Sequence, residues 1–167
     1  MHIRKLTFSS VFLALCLFLP FLTLQTVSLG NMFSLMHIPV FLCGFICGWP
    51  YGLSVGFIAP LLRNILFGMP PFPKNIAMAF ELAIYGLVVG FLYKRLPKTF
   101  PCLYISLLVA MLCGRLIWGL VMFLMIDGFT LSAFWAGAFA NAIPGIICHI
   151  LLVPPLVKAF NKNEKNS

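Results

Sequence analysis

Charge is scarce in this sequence. Of its 167 residues only 8% are charged, and only three are acidic. A soluble domain keeps about a quarter of its residues charged, so a water-facing globule is excluded. No polar stretch is long enough to fold by itself, which excludes a second, soluble domain. The common signatures of nucleotide binding and hydrolysis are missing as well. There is no G-x-x-x-x-G-K-[ST], hence no P-loop for ATP, and neither H-E-x-x-H nor G-x-S-x-G occurs. The six cysteines, at 16, 43, 47, 102, 113 and 148, form no C-x-x-C pair and no Cys/His cluster with zinc spacing. They read as small apolar packing residues, including Cys43 and Cys47 one helical turn apart. No metal, no cofactor and no enzymatic activity is expected.

Apolar residues fill the space instead. They make up 62% of the chain, and a spanning helix needs about 20 of them in a run. The first run covers residues 6–26. Arg4 and Lys5 before it resemble the start of a signal peptide, but no small-residue cleavage site follows, so it reads as a retained helix. The run from Met36 to Gly68 is too long for one span and too short for two full ones. Trp49-Pro50-Tyr51-Gly52 lies in its middle. Proline removes a backbone donor and disfavours helix just before it. The run therefore divides into two short helices, about 36–49 and 51–68. A proline-rich turn, Gly68 to Pro73, separates these from a helix over about 75–93. Further helices are expected over about 102–126 and 130–160, the last with a bend at Pro144. The expected fold is an all-α integral membrane protein, one six-helix domain over residues 1–160 with a polar tail over 161–167.

The sign of the charges orients this bundle. With the N-terminus in the cytoplasm, Arg4, Lys5, Lys94, Arg95, Lys98, Lys158, Lys162 and Lys165 all fall inside, and only Lys74 and Asp127 fall outside. Such a bias follows the positive-inside rule and places both termini in the cytoplasm. Counting residues 36–68 as one helix would put the 94–98 cluster and the C-terminal cluster on opposite sides. The outer loops are then 27–35, 69–74 and 127–129. Nucleic acid is disfavoured as the cause of the net charge of +8 because the basic residues sit in short clusters between apolar runs.

Ionisable groups at membrane depth are costly and tend to serve function. Arg63, Glu81 and Arg115 remain there. At about 1.5 Å per residue, Arg63 and Glu81 lie roughly 8–9 Å below the outer ends of their helices, and Arg115 and Asn141 near the midplane. Tyr85 and Trp118 lie one turn from Glu81 and Arg115 on the same faces; His37 and Asn75 are expected at the outer rim. Lipid satisfies none of these groups, so they should converge on a water-accessible cavity open to the outside. Arg63 and Glu81 either pair with each other or bind ligand. Two arginines against one glutamate leave a positive pocket, suited to a small carboxylate or phosphate. Trp118 reads more readily as a packing residue than as a stacking platform. His149, near the inner end of the last helix, reads as a packing residue.

Small residues recur at helical spacing. Ser10 and Ala14 make a small-xxx-small stripe, and so do Gly44, Gly48, Gly52 and Gly56, and Gly86 with Gly90. Such stripes let helices approach closely. With Met36-His37-Ile38-Pro39, Gly68-Met69-Pro70-Pro71 and Asn141-Ala142-Ile143-Pro144-Gly145, these features make the chain resemble the substrate-binding (S) components of energy-coupling factor (ECF) vitamin transporters. Ser10 stands where the family's alanine-rich docking motif has its first alanine. The resemblance implies a high-affinity capture subunit in a bacterial plasma membrane, gated by outer loops. It also implies a transmembrane coupling (T) subunit that docks at Ser10 and Ala14, and two cytosolic ATPases. Pantothenate and niacin, each with a carboxylate, are the leading substrates. The alternatives are a structural membrane protein such as an MreD-like cell-shape scaffold, which needs no polar pocket, and a proton-coupled carrier, for which Glu81 and distant His149 make a poor relay.

Overall fold

A computed structural model of the chain describes residues 2–23, 35–139 and 142–165, with side chains described over 2–21, 35–139 and 142–160. Every regular element among them is helical. In order these are α1 (His2–Phe18), a 3₁₀ turn (Leu19–Thr23), α2 (His37–Cys47), α3 (Trp49–Phe67), α4 (Lys74–Arg95), α5 (Phe100–Met125), α6 (Leu131–Ala138) and α7 (Ile143–Lys165). Among the described residues five apolar stretches are long enough to cross a membrane, the last of them taking in α6 and α7. The sixth helix, α2, has 11 residues, about 16 Å of rise and half a hydrocarbon core.

Several boundaries moved from their sequence positions, each for a local reason. The reversal between α2 and α3 falls at Gly48, where φ is 100°, a conformation that L side chains rarely adopt. Pro50 lies just inside α3, in its first turn, where a missing N–H costs nothing. The first helix gives way to a 3₁₀ turn at Leu19, because Pro20 has no N–H to continue it. The last stretch ends α6 at Ala138 and resumes at Ile143. At the C-terminal end, α7 continues through the expected polar tail as far as Lys165.

The centre of the bundle is α4, against which α2, α3 and α5 all pack; α1 lies on α2 and α3, and α7 on α2. Glycine makes this possible. A Cβ on Gly52 would stand 2.7 Å from the Gly44 Cα, and one on Gly86 would overlap the Gly52 carbonyl. The backbones of α2, α3 and α4 therefore touch at one point. Helix association in lipid has no hydrophobic drive between apolar surfaces and rests on close van der Waals contact of this kind. The outward surface carries Leu6, Ile65, Leu116, Phe123 and Leu151 exposed, as a lipid-facing exterior requires.

Candidate functional site

Glu81 lies seven residues into α4, about 10 Å along the helix axis, and is 1% exposed. Its Oε1 receives the Tyr85 hydroxyl at 2.6 Å and Arg115 Nη1 at 3.0 Å, with His37 Nε2 at 3.8 Å. Tyr85 reaches it from one turn further along the same helix. Arg115 reaches it from near the middle of α5, the neighbouring helix. Gly114 is what lets the two helices close around this contact, since a Cβ there would run into the Tyr85 ring. A carboxylate and a guanidinium buried together hold their charges only when paired and hydrogen-bonded. Arg115 is 8% exposed, and its Nε has no hydrogen-bond partner among the described residues. An unsatisfied buried donor costs about 1–3 kcal/mol and calls for an explanation.

Lys74, the first residue of α4, lies two turns before Glu81 on the same helix face. A second cation therefore stands at the start of the face that carries the Glu81–Arg115 pair. Aromatic rings close it on the side away from Lys74. His37 stacks on His149 with centroids 5.5 Å apart, Phe41 stacks on Tyr85 at 4.8 Å, and His37 lies 5.4 Å from Tyr85. All four rings are fully buried. On the Lys74 side, Trp118 packs with Ala77, Met122 and Ala138 in an apolar cluster that Phe129 and Phe134 flank. The Glu81–Arg115 contact thus forms a polar layer between a ring cluster that includes two histidines and an apolar cluster.

The residues singled out in the sequence separate into groups. Glu81, Tyr85, Arg115 and His37 meet. His37 is in the interior instead of at the rim, because α2 is short and begins at the level of Glu81. Asn75 is buried at the start of α4, its Oδ1 accepting the Ile76 N–H at 2.8 Å. Trp118 belongs to the apolar layer. Arg63 is elsewhere, and the pair that forms is Arg115–Glu81, not Arg63–Glu81. Arg63 Nη1 donates to the Leu17 carbonyl at 2.6 Å, and its guanidinium lies 5.3 Å from the Phe21 ring and 5.5 Å from the Phe67 ring. The reason is that α3 turns this residue toward the end of α1, away from α4. Asn141 lies outside the described residues, as does the 27–35 loop except for Leu35. Ser10 and Ala14 are exposed on α1, whose opposite face meets α2 through Ser9 and Cys43.

Two members of the cluster were not among the sequence candidates. From the sequence Lys74 reads as an outer-loop charge and His149 as a packing residue, and His149 does pack, stacked on the His37 ring. Their signal was the general one, a titratable side chain at or near membrane depth. The groove of about 360 Å³ between α5 and α6, lined by Leu116, Leu120, Phe123 and Phe134 with Thr130 as its one polar side chain, holds no charged group.

Span-length apolar helices around a buried Glu81–Arg115 ion pair make this a multi-pass membrane protein. The family described as ECF transporter, substrate-specific component, matches residues 4–157. The chain belongs to that family and is the substrate-specific subunit of an ECF importer, a transporter subunit and not a member of an enzyme family. Such subunits bind small substrates in the membrane and work with a T subunit and ATPases. Comparison with curated proteins and with solved structures finds no match.

Proposed function

We propose that this subunit captures a small water-soluble vitamin bearing one carboxylate, pantothenate or nicotinate, at the Lys74–Glu81–Arg115 layer between α4 and α5. In this reading the site is loaded from the outside of a bacterial plasma membrane. Cargo then passes inward through a T subunit, docked at Ser10 and Ala14, and two cytosolic ATPases. The observation that carries this reading is Arg115, a guanidinium more than nine-tenths buried with an unpartnered Nε. Retaining such a group at membrane depth is expensive unless it serves a ligand. Lys74 adds a second positive charge, so the layer attracts an anion even with Glu81 in place. Family membership makes a purely structural scaffold redundant as an explanation.

The test is calorimetric titration of purified wild-type and Arg115→Ala protein with pantothenate and nicotinate. Wild type is expected to bind one of them and Arg115→Ala to bind neither while still inserting in the membrane. Undiminished affinity in Arg115→Ala would refute the site.

A further inference from the structure

We infer that the substrate carboxylate takes the Nε–Nη2 edge of Arg115 while Glu81 keeps Nη1, so that Glu81 tunes the site to monocarboxylates over dianions. The inference rests on the reading of the site just given and extends it to charge specificity. A guanidinium presents its donors in a rigid fork, and the edge shared by Nε and Nη2 matches the two oxygens of a carboxylate. In Arg115 the contact with Glu81 Oε1 uses Nη1, at 3.0 Å. Nε, on the other edge, is buried and has no hydrogen-bond partner among the described residues.

Glu81 is not placed to swing onto that edge. Its Oε1 is held by the Tyr85 hydroxyl at 2.6 Å and faced by His37 Nε2 at 3.8 Å. Tyr85 is in turn wedged against Gly114, where no side chain larger than hydrogen fits. The internal carboxylate thus fixes the orientation of the guanidinium and leaves its forked edge for an incoming one. A substrate that binds there meets a positioned group, without first having to break the Glu81 contact.

Charge then sets the preference. Lys74 and Arg115 contribute two positive charges and Glu81 one negative. A single added carboxylate takes the open edge of Arg115. A second negative charge on the substrate would face Glu81 without a counter-ion in surroundings that screen poorly. A neutral amide in place of the carboxylate would lose the charge-assisted bonds.

The experiment is calorimetry on the full-length purified protein with two matched series. One is nicotinate, nicotinamide and the dicarboxylate quinolinate. The other is pantothenate, pantothenol and 4′-phosphopantothenate. Wild type should favour the monocarboxylate of its series over both relatives by about 10- to 100-fold, the equivalent of one or more charge-assisted hydrogen bonds. Glu81→Gln should narrow the gap between monoanion and dianion by at least about tenfold. Arg115→Lys, which keeps the charge but has no fork, should weaken the monocarboxylate by about 10- to 100-fold in a folded protein, and this arm stands if Glu81→Gln fails to fold. Preference for the dianionic member of a bound series, or an Arg115→Lys protein as tight as wild type, overturns this inference and leaves the proposed function standing, whereas preference for the neutral member overturns both. Failure of wild type to bind either monocarboxylate overturns both.

Discussion

Replacing Arg63 by methionine should destabilise the protein without touching the proposed ligand site, and the size of the effect follows from three contacts. The Leu17 carbonyl sits where α1 passes into the 3₁₀ turn. In 3₁₀ register its donor would be the N–H of residue 20, which is a proline. Arg63 Nη1 supplies a donor instead, at 2.6 Å. A hydrogen bond from a charged group contributes about 1.5–3 kcal/mol. The Phe21 and Phe67 rings, 5.3 and 5.5 Å from the guanidinium carbon, each add about 0.5–2 kcal/mol. Against this, methionine is spared the desolvation of a buried cation. The net loss should be about 2–3 kcal/mol. The decisive assay is a double-mutant cycle by denaturation of purified protein, with Arg63→Met, Pro20→Ala and both together. Alanine at position 20 restores a backbone N–H, so Arg63→Met should cost about 1–2 kcal/mol less on that background. Additive effects would refute the capping role. So would an Arg63→Met protein of wild-type stability that had lost its ligand, since that is the behaviour of a substrate-binding arginine.

Three further outcomes are expected. Gly86→Leu should cost more than about 3 kcal/mol and abolish folding on expression, because a side chain there overlaps the Gly52 backbone and α4 must move away from α3; a melting temperature like wild type would refute the close-contact account. Tyr85→Phe should remove the 2.6 Å bond to Glu81 at about 1.5–3 kcal/mol, lowering thermal stability and ligand affinity together; a drop in neither would show that the hydroxyl is idle. Ala14→Trp, on the exposed face of α1, should abolish co-purification of the T subunit and ATPases with ligand affinity unchanged; an intact complex would move the docking surface elsewhere.

Much of the architecture was legible in the chain. Apolar runs and their breakers gave the number of helices, and the glycine repeats announced where backbones meet. The burial of Glu81, Arg115 and Tyr85 follows from depth, which can be counted along a helix. Distance across the bundle cannot. Arg63 and Glu81 have similar counted depths, yet Arg63 faces α1 and Glu81 faces α5, since rotation of a helix about its axis is set by what it packs against. His37 was misplaced because the depth of a helix start was reckoned from a full span, and α2 is half of one. His149 joined the cluster through stacking on His37, a contact between residues 112 positions apart.

Membrane residence and the supply of scarce, buried polar groups were therefore settled by the sequence alone, because transfer into lipid is a property of composition and of consecutive residues. Which arginine pairs with the one deep carboxylate, and which nitrogen of it is left without a partner, were decided only when α2, α4, α5 and α7 packed. Partner choice among buried charges depends on side-chain direction to within an ångström or two, and that is fixed by contacts between segments far apart in the chain.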